Sequence, residues 1–313
     1  MWYEKLGFEV NINQLRKDVE KYVFTAGNQV IQGEDFESKE YNGFGGWSLT
    51  SRTGDYKDGW EVFHTDDPEL QKIVFPNNGF NYKAMNYMGV SHPLEHKNPT
   101  ALYQGEIKRI IDQLAYMGFT PRRVRITCLK AGSKSLVHQD CAEDQYMARI
   151  HIPIISNPEC VHICEGEHLH MPADGGVYML WVNNWHQIRN DSKKDRYHLL
   201  MDAWDTKGLT KQFYFNKEQM EKLQRECDDY RKNMDAAQLT EEDVAFFDNL
   251  KKQFIDMLPV GPHVMELWVR AENPFDYENP RHISRIKEEG ELDKDDVRGR
   301  KKGKWETIEQ ESV

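Results

Sequence analysis

The chain has 313 residues, and its 41 lysines and arginines against 52 aspartates and glutamates leave a formal net charge of −11. That length admits one large or two modest domains with a substantial core. The acidic balance, with no long Lys/Arg block before residue 298, argues against nucleic acid as the main partner, because phosphate neutralisation needs a basic face. No apolar run approaches the roughly 18 residues of a membrane span, and MWYEKLGFEV has neither the charged start nor the apolar centre of a signal peptide. A cytoplasmic protein is expected, and the five cysteines, Cys128, Cys141, Cys160, Cys164 and Cys227, form no disulfide framework and suit a reducing compartment.

In chain order, Ile12, Leu15, Val19 and Val23 recur at helical spacing and predict an amphipathic helix over residues 11 to 24. Trp47, Leu49 and Ser51 alternate with Ser48, Thr50 and Arg52, which predicts a half-buried strand ending at Thr53-Gly54. Between Tyr56 and Pro99 the sequence is loop-rich. A helix opens at Pro99-Thr100, carries Ile107, Ile110, Ile111, Leu114 and Met117 on one stripe and ends at Gly118, and its apolar stripe should cover a sheet.

Short strand-like runs follow at Val124 to Leu129, Ala148 to Ile155, Val161 to Cys164, Val177 to Val182 and Tyr197 to Trp204. Turn residues at about 8–12-residue spacing break them, the signature of a sandwich or barrel, and the jelly roll is the member of that class that carries sites in its mouth. Beyond Gly208, Met220, Leu223, Cys227 and Tyr230 predict one helix, and a capping box at Thr240 opens a second through Val244, Phe247, Leu250 and Phe254. A further strand is expected at His263 to Arg270. From Glu272 the chain is polar and charged, with a mobile end expected. Residues 1–207 are therefore expected to be the β domain with an N-terminal elaboration, and residues 208–313 a helical extension with a polar tail.

The chemistry concentrates between Ser133 and Asp205. In His138-Gln139-Asp140 an imidazole and a carboxylate stand next but one, so an extended backbone sends both from the same face. With His186 as a third ligand they make the two-histidine, one-carboxylate set used by non-haem Fe(II). Arg149 and His151 share one face of their strand, opposite Ile150 and Ile152. The strand through Gln187 and the turn to Arg196 predict a hairpin that sets Arg196 beside the metal ligands, where a fixed guanidinium would bind a carboxylate through paired hydrogen bonds. Cys160, His162, Cys164, His168 and His170 raise an alternative, a structural zinc site, although their spacing departs from the usual paired pattern.

The run through His138, Arg149-Ile150-His151-Ile152-Pro153, Asn157-Pro158, Gly166-Glu167, His170-Met171, His186, Asn190 and Arg196-Tyr197-His198-Leu199-Leu200-Met201-Asp202 resembles the aspartyl/asparaginyl β-hydroxylase family of Fe(II)- and 2-oxoglutarate-dependent dioxygenases, which includes bacterial proline hydroxylases. The resemblance covers residues 124 to 204. It implies a double-stranded β-helix, mainly β with flanking helices, and iron held by His138, Asp140 and His186. It also implies that Arg196 binds the distal carboxylate of 2-oxoglutarate, assisted by Thr127, and that Arg149 and His151 contribute to carboxylate binding. The strand of Trp47, Ser51 and Arg52 is similar to the region that lines the substrate side in relatives; the competing reading makes Trp47 core and Arg52 surface. Gly175-Gly176 departs from the Gly-Glu of many members and reads as a changed turn, whereas Asp140 is present where some members lack a carboxylate ligand.

The activity implied is hydroxylation of a C–H bond in a free amino acid or an amino-acid side chain of a peptide or protein, using Fe(II), 2-oxoglutarate and O2, with succinate and CO2 as coproducts. The alternatives are a hydroxylase of another substrate class, such as a lipid acyl chain, and a metal-binding jelly-roll module without catalysis.

Overall fold

The computed structural model describes residues 2–26, 30–31, 44–58, 73, 81–87, 91–135, 148–164, 166–210 and 213–253. The strand expected at His263 to Arg270, the polar tail, Phe254 and Cys141 lie outside the described residues.

Among the described residues, twelve strands alternate unevenly with helices. They begin with β1 (Tyr3–Glu9), β2 (Val30–Ile31), β3 (Phe44–Ser48), β4 (Thr50–Ser51) and β5 (Asn98–Pro99). The second half supplies β6 (Arg122–Leu129), β7 (Ala148–Ile155), β8 (Cys160–Cys164), β9 (Glu167–His170), β10 (Gly176–Trp181), β11 (His186–Asn190) and β12 (Arg196–Ala203). A seven-stranded sheet in the order β1-β10-β7-β12-β6-β3-β2 faces a three-stranded sheet in the order β11-β8-β9, and β4 and β5 form a small separate pair. The fold is a double-stranded β-helix, mainly β with flanking helices.

The outer face of the large sheet is apolar because alternate residues of its central strands are Val124 and Ile126 on β6, Ile150, Ile152 and Ile154 on β7, and Leu199 and Met201 on β12. These pack in one core with Leu15 and Val19 of α1 (Ile12–Val19) and Ile107, Ile110 and Leu114 of α3 (Gly105–Met117). Full burial of each such side chain contributes about 1.5–3 kcal/mol. α1 starts at Asn11, whose side chain accepts Gln14 N–H at 3.1 Å, and widens at its end into a π turn, Glu20–Phe24.

A short helix, Tyr82–Tyr87, lies in the stretch expected to be loop, and the stripe helix runs over Gly105–Met117 rather than from Thr100. The short helix is α2 (Tyr82–Tyr87), and the stripe helix is α3 (Gly105–Met117). Its later start has a local cause. Asp18 of α1 accepts Glu106 N–H at 2.6 Å and so caps α3 from outside. Gly105 turns at φ +57, and a Cβ there would sit 2.3 Å from Asp18 Oδ2.

β1 and β9 are strands that the patterning did not mark, and β3 is buried on both faces rather than half-buried. Gly175, at φ +103, makes the turn before β10, where a Cβ would meet the Val10 carbonyl oxygen at 2.5 Å, so the Gly175-Gly176 departure is a turn. α5 (Glu241–Gln253) carries the expected capping box, Thr240 with Asp243, and α4 (Lys217–Ala236) has one of its own, Asn216 with Gln219. α4 docks through Cys227 against Trp204 and Phe215, and Arg231 meets Glu95 at 2.5 Å. α5 is tied to α2 by Lys83 to Asp243 at 2.7 Å. Among the described residues no helix is long and apolar enough to cross a membrane.

Candidate functional site

If Ile150, Ile152 and Ile154 face the helices, period two turns Arg149 and His151 toward the small sheet. The alternation alone does not say which face turns toward the second sheet; in the structure it is the polar one. His151 meets His162 of β8 edge to face, with ring centroids 4.9 Å apart and planes at 82°. The register aligns His151 with Leu200, Arg149 with Asp202 and Thr127 with His198, so Thr127, Arg149, His151, Arg196, His198 and Asp202 share this inner face.

The hairpin expected between the strand of His186 and that of Arg196 does not form. β11 pairs with β8 in the small sheet, whereas β12 lies between β7 and β6 in the large one, so the turn between them crosses from one sheet to the other. A turn of that length permits either arrangement, and Asn190 selects this one. Its Nδ2 donates to the carbonyls of Leu129, Lys130 and Lys194 at 2.9–3.1 Å, and its Oδ1 accepts Cys160 Sγ and Ser192 Oγ. The start of β12, and with it Arg196, is thereby fixed against the end of β6.

His186 is buried at the head of β11, and its Nδ1 donates to the Asn184 carbonyl at 2.8 Å. Because a carbonyl can only accept, this bond puts the ring proton on Nδ1 and the lone pair on Nε2, the state of a metal-ligating imidazole with an oriented tautomer. Ser133 and Ser135 run antiparallel to β11, with Ser135 N–H donating to the Ile188 carbonyl at 2.8 Å and Ile188 N–H to Ser135 Oγ at 2.9 Å. His138 and Asp140 lie outside the described residues. Among the described residues no group of three or more His, Cys, Asp or Glu side chains could hold a metal ion.

That finding includes the zinc alternative, since Cys160, His162, Cys164, His168 and His170 are all described. Cys160 instead donates to Asn190 Oδ1 at 2.9 Å, and Cys164 packs in the second apolar core.

Arg196 is almost fully buried, and burial pushes its guanidinium down to about 10. Among the described residues, only Cys160 and Cys128 oppose that shift, no carboxylate is among its partners, and its Nε has no hydrogen-bond acceptor. His198, two residues on and on the same face, is held at Nδ1 by His151 Nδ1 at 3.3 Å, while its Nε2 is buried without a partner. Burial first and Arg196 second hold His198 well below the usual imidazole range. Thr127 Oγ1 donates to the His198 carbonyl at 3.4 Å, so Thr127 supports the neighbour of Arg196.

Toward the other end of β12, Arg149 Nε donates to Asp202 Oδ1 at 3.1 Å, and Arg123 approaches Asp202 Oδ2 at 2.5 Å. The structure does not bring the third group of expected residues to this interior. Trp47 is paired with Ile126 on the outer face, against Phe24 at 5.3 Å between ring centroids. Ser51 Oγ accepts Gly54 N–H at 2.8 Å, and Arg52 is exposed. From β3 it is Gly46 and Ser48 that share the inner face, opposite Thr127 and Arg125. Sequence reasoning assigned no role to His198, although the alternation Arg196, His198, Leu200 already set it beside Arg196.

A two-sheet jelly roll of this kind, with a buried cation and oriented imidazoles inside, is the scaffold of the 2-oxoglutarate-dependent hydroxylases. The chain belongs to the aspartyl/asparaginyl β-hydroxylase family, whose model matches residues 11–206. Fe(II) and 2-oxoglutarate are the cofactor and cosubstrate that this membership implies.

No curated protein matches the chain. Among solved structures it is similar to a 2OG-Fe(II) oxygenase family oxidoreductase from Burkholderia pseudomallei, at 16% identity over 32% of this chain and 58% of that one, with a TM-score of 0.26. A viral collagen prolyl hydroxylase from Paramecium bursaria Chlorella virus-1 shares 13% identity over 31% of this chain and 68% of its own, with a TM-score of 0.24. The non-haem α-ketoglutarate-dependent epimerase SnoN from nogalamycin biosynthesis shares 9% identity over 65% and 77%, with a TM-score of 0.33. These overlaps are too slight to carry function.

Proposed function

We propose that the protein hydroxylates a C–H bond of a free amino acid or of an amino-acid side chain in a peptide or protein, releasing succinate and CO2. Iron would be held by His138, Asp140 and His186, and 2-oxoglutarate by Arg196. The observation that carries this reading is Arg196 itself: a buried guanidinium with an orphan Nε–H and, among the described residues, no carboxylate beside it. Such a charge is costly unless an anion completes it. The distal carboxylate of 2-oxoglutarate is an anion of the right kind.

Two further features suit the iron. His186 has its lone pair on Nε2, and the segment that leads to His138 enters along β11, bonded to Ile188 two residues from His186. Iron bound there supplies O2 activation coupled to decarboxylation of 2-oxoglutarate. The chain's own residues bind and orient. Arg196 anchors the cosubstrate at its far end, and Thr127 supports that strand. Arg149, aligned by Asp202, offers a cation to a second carboxylate, that of cosubstrate or substrate, and His151 lies between it and Arg196. The surrounding buried histidines and apolar side chains keep water from the reacting groups.

The test is a screen of free amino acids, with proline, aspartate and asparagine first, followed by short peptides. Fe(II)-dependent succinate and a product heavier by one oxygen are the expected results. If no substrate yields succinate above the rate seen with His138→Ala, the reading is wrong. Binding of 2-oxoglutarate without turnover of any substrate would favour the non-catalytic module.

A further inference from the structure

Arg196 and His198 project from the same face of β12, two residues apart, and each carries a fully buried polar atom without a partner, Nε in one and Nε2 in the other. The two do not satisfy one another. Two orphan atoms on one face of the same strand, two residues apart, are a place for a third group to bond, because a buried polar atom left unpaired is costly.

The proton inventory says what kind of group. His151 and His198 touch through Nδ1 at 3.3 Å, with their rings at 86°. Both imidazoles are neutral: burial holds each well below the usual range, aided at His198 by Arg196, His162 and His170, and at His151 by His198, Arg196, Arg149 and His186. A neutral imidazole has one N–H, so a contact between two Nδ1 atoms needs one donor and one acceptor. If His151 donates, His198 accepts at Nδ1 and carries its proton on Nε2, and both orphan atoms are then donors. Two donors on one strand face, one of them cationic, suit the oxygens of a carboxylate.

We infer that His198 is a second cosubstrate-binding residue, donating from Nε2 to the carboxylate held by Arg196, and that His151 sets the tautomer that makes this possible. The inference rests on the proposed 2-oxoglutarate site and deepens it. His151 thus acts as a positioning residue through its Nδ1–H. Thr127, bonded to the His198 carbonyl, steadies the backbone of the same donor.

The experiment titrates 2-oxoglutarate into metal-free protein by calorimetry and follows the histidine side-chain nitrogens by NMR. His198→Phe, which keeps the ring volume, is expected to weaken binding roughly ten- to a hundredfold, the loss of one hydrogen bond to a charged group. His198→Gln, whose amide reaches about as far as Nε2, should recover most of the affinity. In the unsubstituted protein with 2-oxoglutarate bound, His198 should show a protonated Nε2 and a bare Nδ1. Unchanged affinity in His198→Phe, or a bare Nε2 in the bound complex, would overturn the inference. Arg196→Met separates the two ideas. If that variant binds 2-oxoglutarate as well as the original, the cosubstrate site itself is misplaced; if it loses binding while His198→Phe does not, only the role of His198 falls.

Discussion

Arg149 and Asp202, directly opposite one another on β7 and β12, are joined by Nε to Oδ1 at 3.1 Å and are both almost fully buried. Arg123 reaches the second oxygen of the same carboxylate from a backbone position at φ +46, uncommon for a residue with a side chain. Removing Asp202 leaves two cations facing each other in a dry interior. Asp202→Ala is expected to lower the unfolding free energy by about 3–5 kcal/mol, the usual cost of breaking a buried pair, measured by urea denaturation. A loss below about 1 kcal/mol would mean that solvent reaches the cluster.

Asn190 connects the sheets with three donated bonds to main-chain carbonyls and three accepted ones. Asn190→Ala strands those buried carbonyls, at roughly 1–3 kcal/mol for each group left unsatisfied. Because the same turn sets the start of β12, the variant should also bind 2-oxoglutarate more weakly in calorimetry. Destabilisation with full retention of binding would show that Arg196 holds its place by strand pairing alone.

These two side chains also show where the sequence was readable. The alternation along β7 and β12 fixed which residues share a face, and Arg149, His151 and Arg196 do share one. It did not say which face looked inward, since that depends on where α1 and α3 lie, and helices far away in the chain decide it. Nor did the spacing between His186 and Arg196 distinguish a hairpin from a crossover; the bonds of Asn190 to Leu129, Lys130 and Cys160 do, and those partners are chosen by tertiary structure. β1 escaped because Tyr3 to Glu9 alternates weakly and gains its pairing from β10. Trp47 was misleading for the opposite reason: its strand was recognised, but only the register with Ile126 reveals that the indole faces the helices.

His92 gives a pH dependence. It is buried, and its imidazole is pushed down to about 4, chiefly by burial. The unfolded chain therefore takes up a proton before the folded one does, and stability present above about pH 6.5 is lost as pH falls toward 4. The expected contribution is about 3 kcal/mol, from about 1.4 kcal/mol for each unit of displacement. His96, His151 and His198 are lowered too and add in the same direction. His92 Nδ1 also accepts Leu94 N–H at 3.2 Å, so His92→Asn, which keeps an acceptor there and cannot titrate, is the informative variant. Its unfolding free energy should fall less steeply between pH 6.5 and 4 than that of the original protein. Identical slopes would remove His92 from the acid response.

Arg196→Met and His186→Ala should fail in different ways. An unpaired buried guanidinium lowered to about 10 from 12.5 carries a burial cost of about 3 kcal/mol at neutral pH. Without 2-oxoglutarate, therefore, Arg196→Met is expected to be more stable than the original by about 1–3 kcal/mol, because methionine fills the space without the charge. It should retain metal affinity and lose 2-oxoglutarate binding. His186→Ala, in contrast, should lose at least about a hundredfold in affinity for Co(II), a spectroscopic stand-in for iron, since a ligand itself matters more than the outer partners whose loss costs 10–100-fold. Its distal-carboxylate site should survive, seen as weak binding of glutarate in both the original and the variant. If Arg196→Met is instead destabilised, the guanidinium is already neutralised by a group within the protein, and the buried charge no longer argues for an anionic cosubstrate.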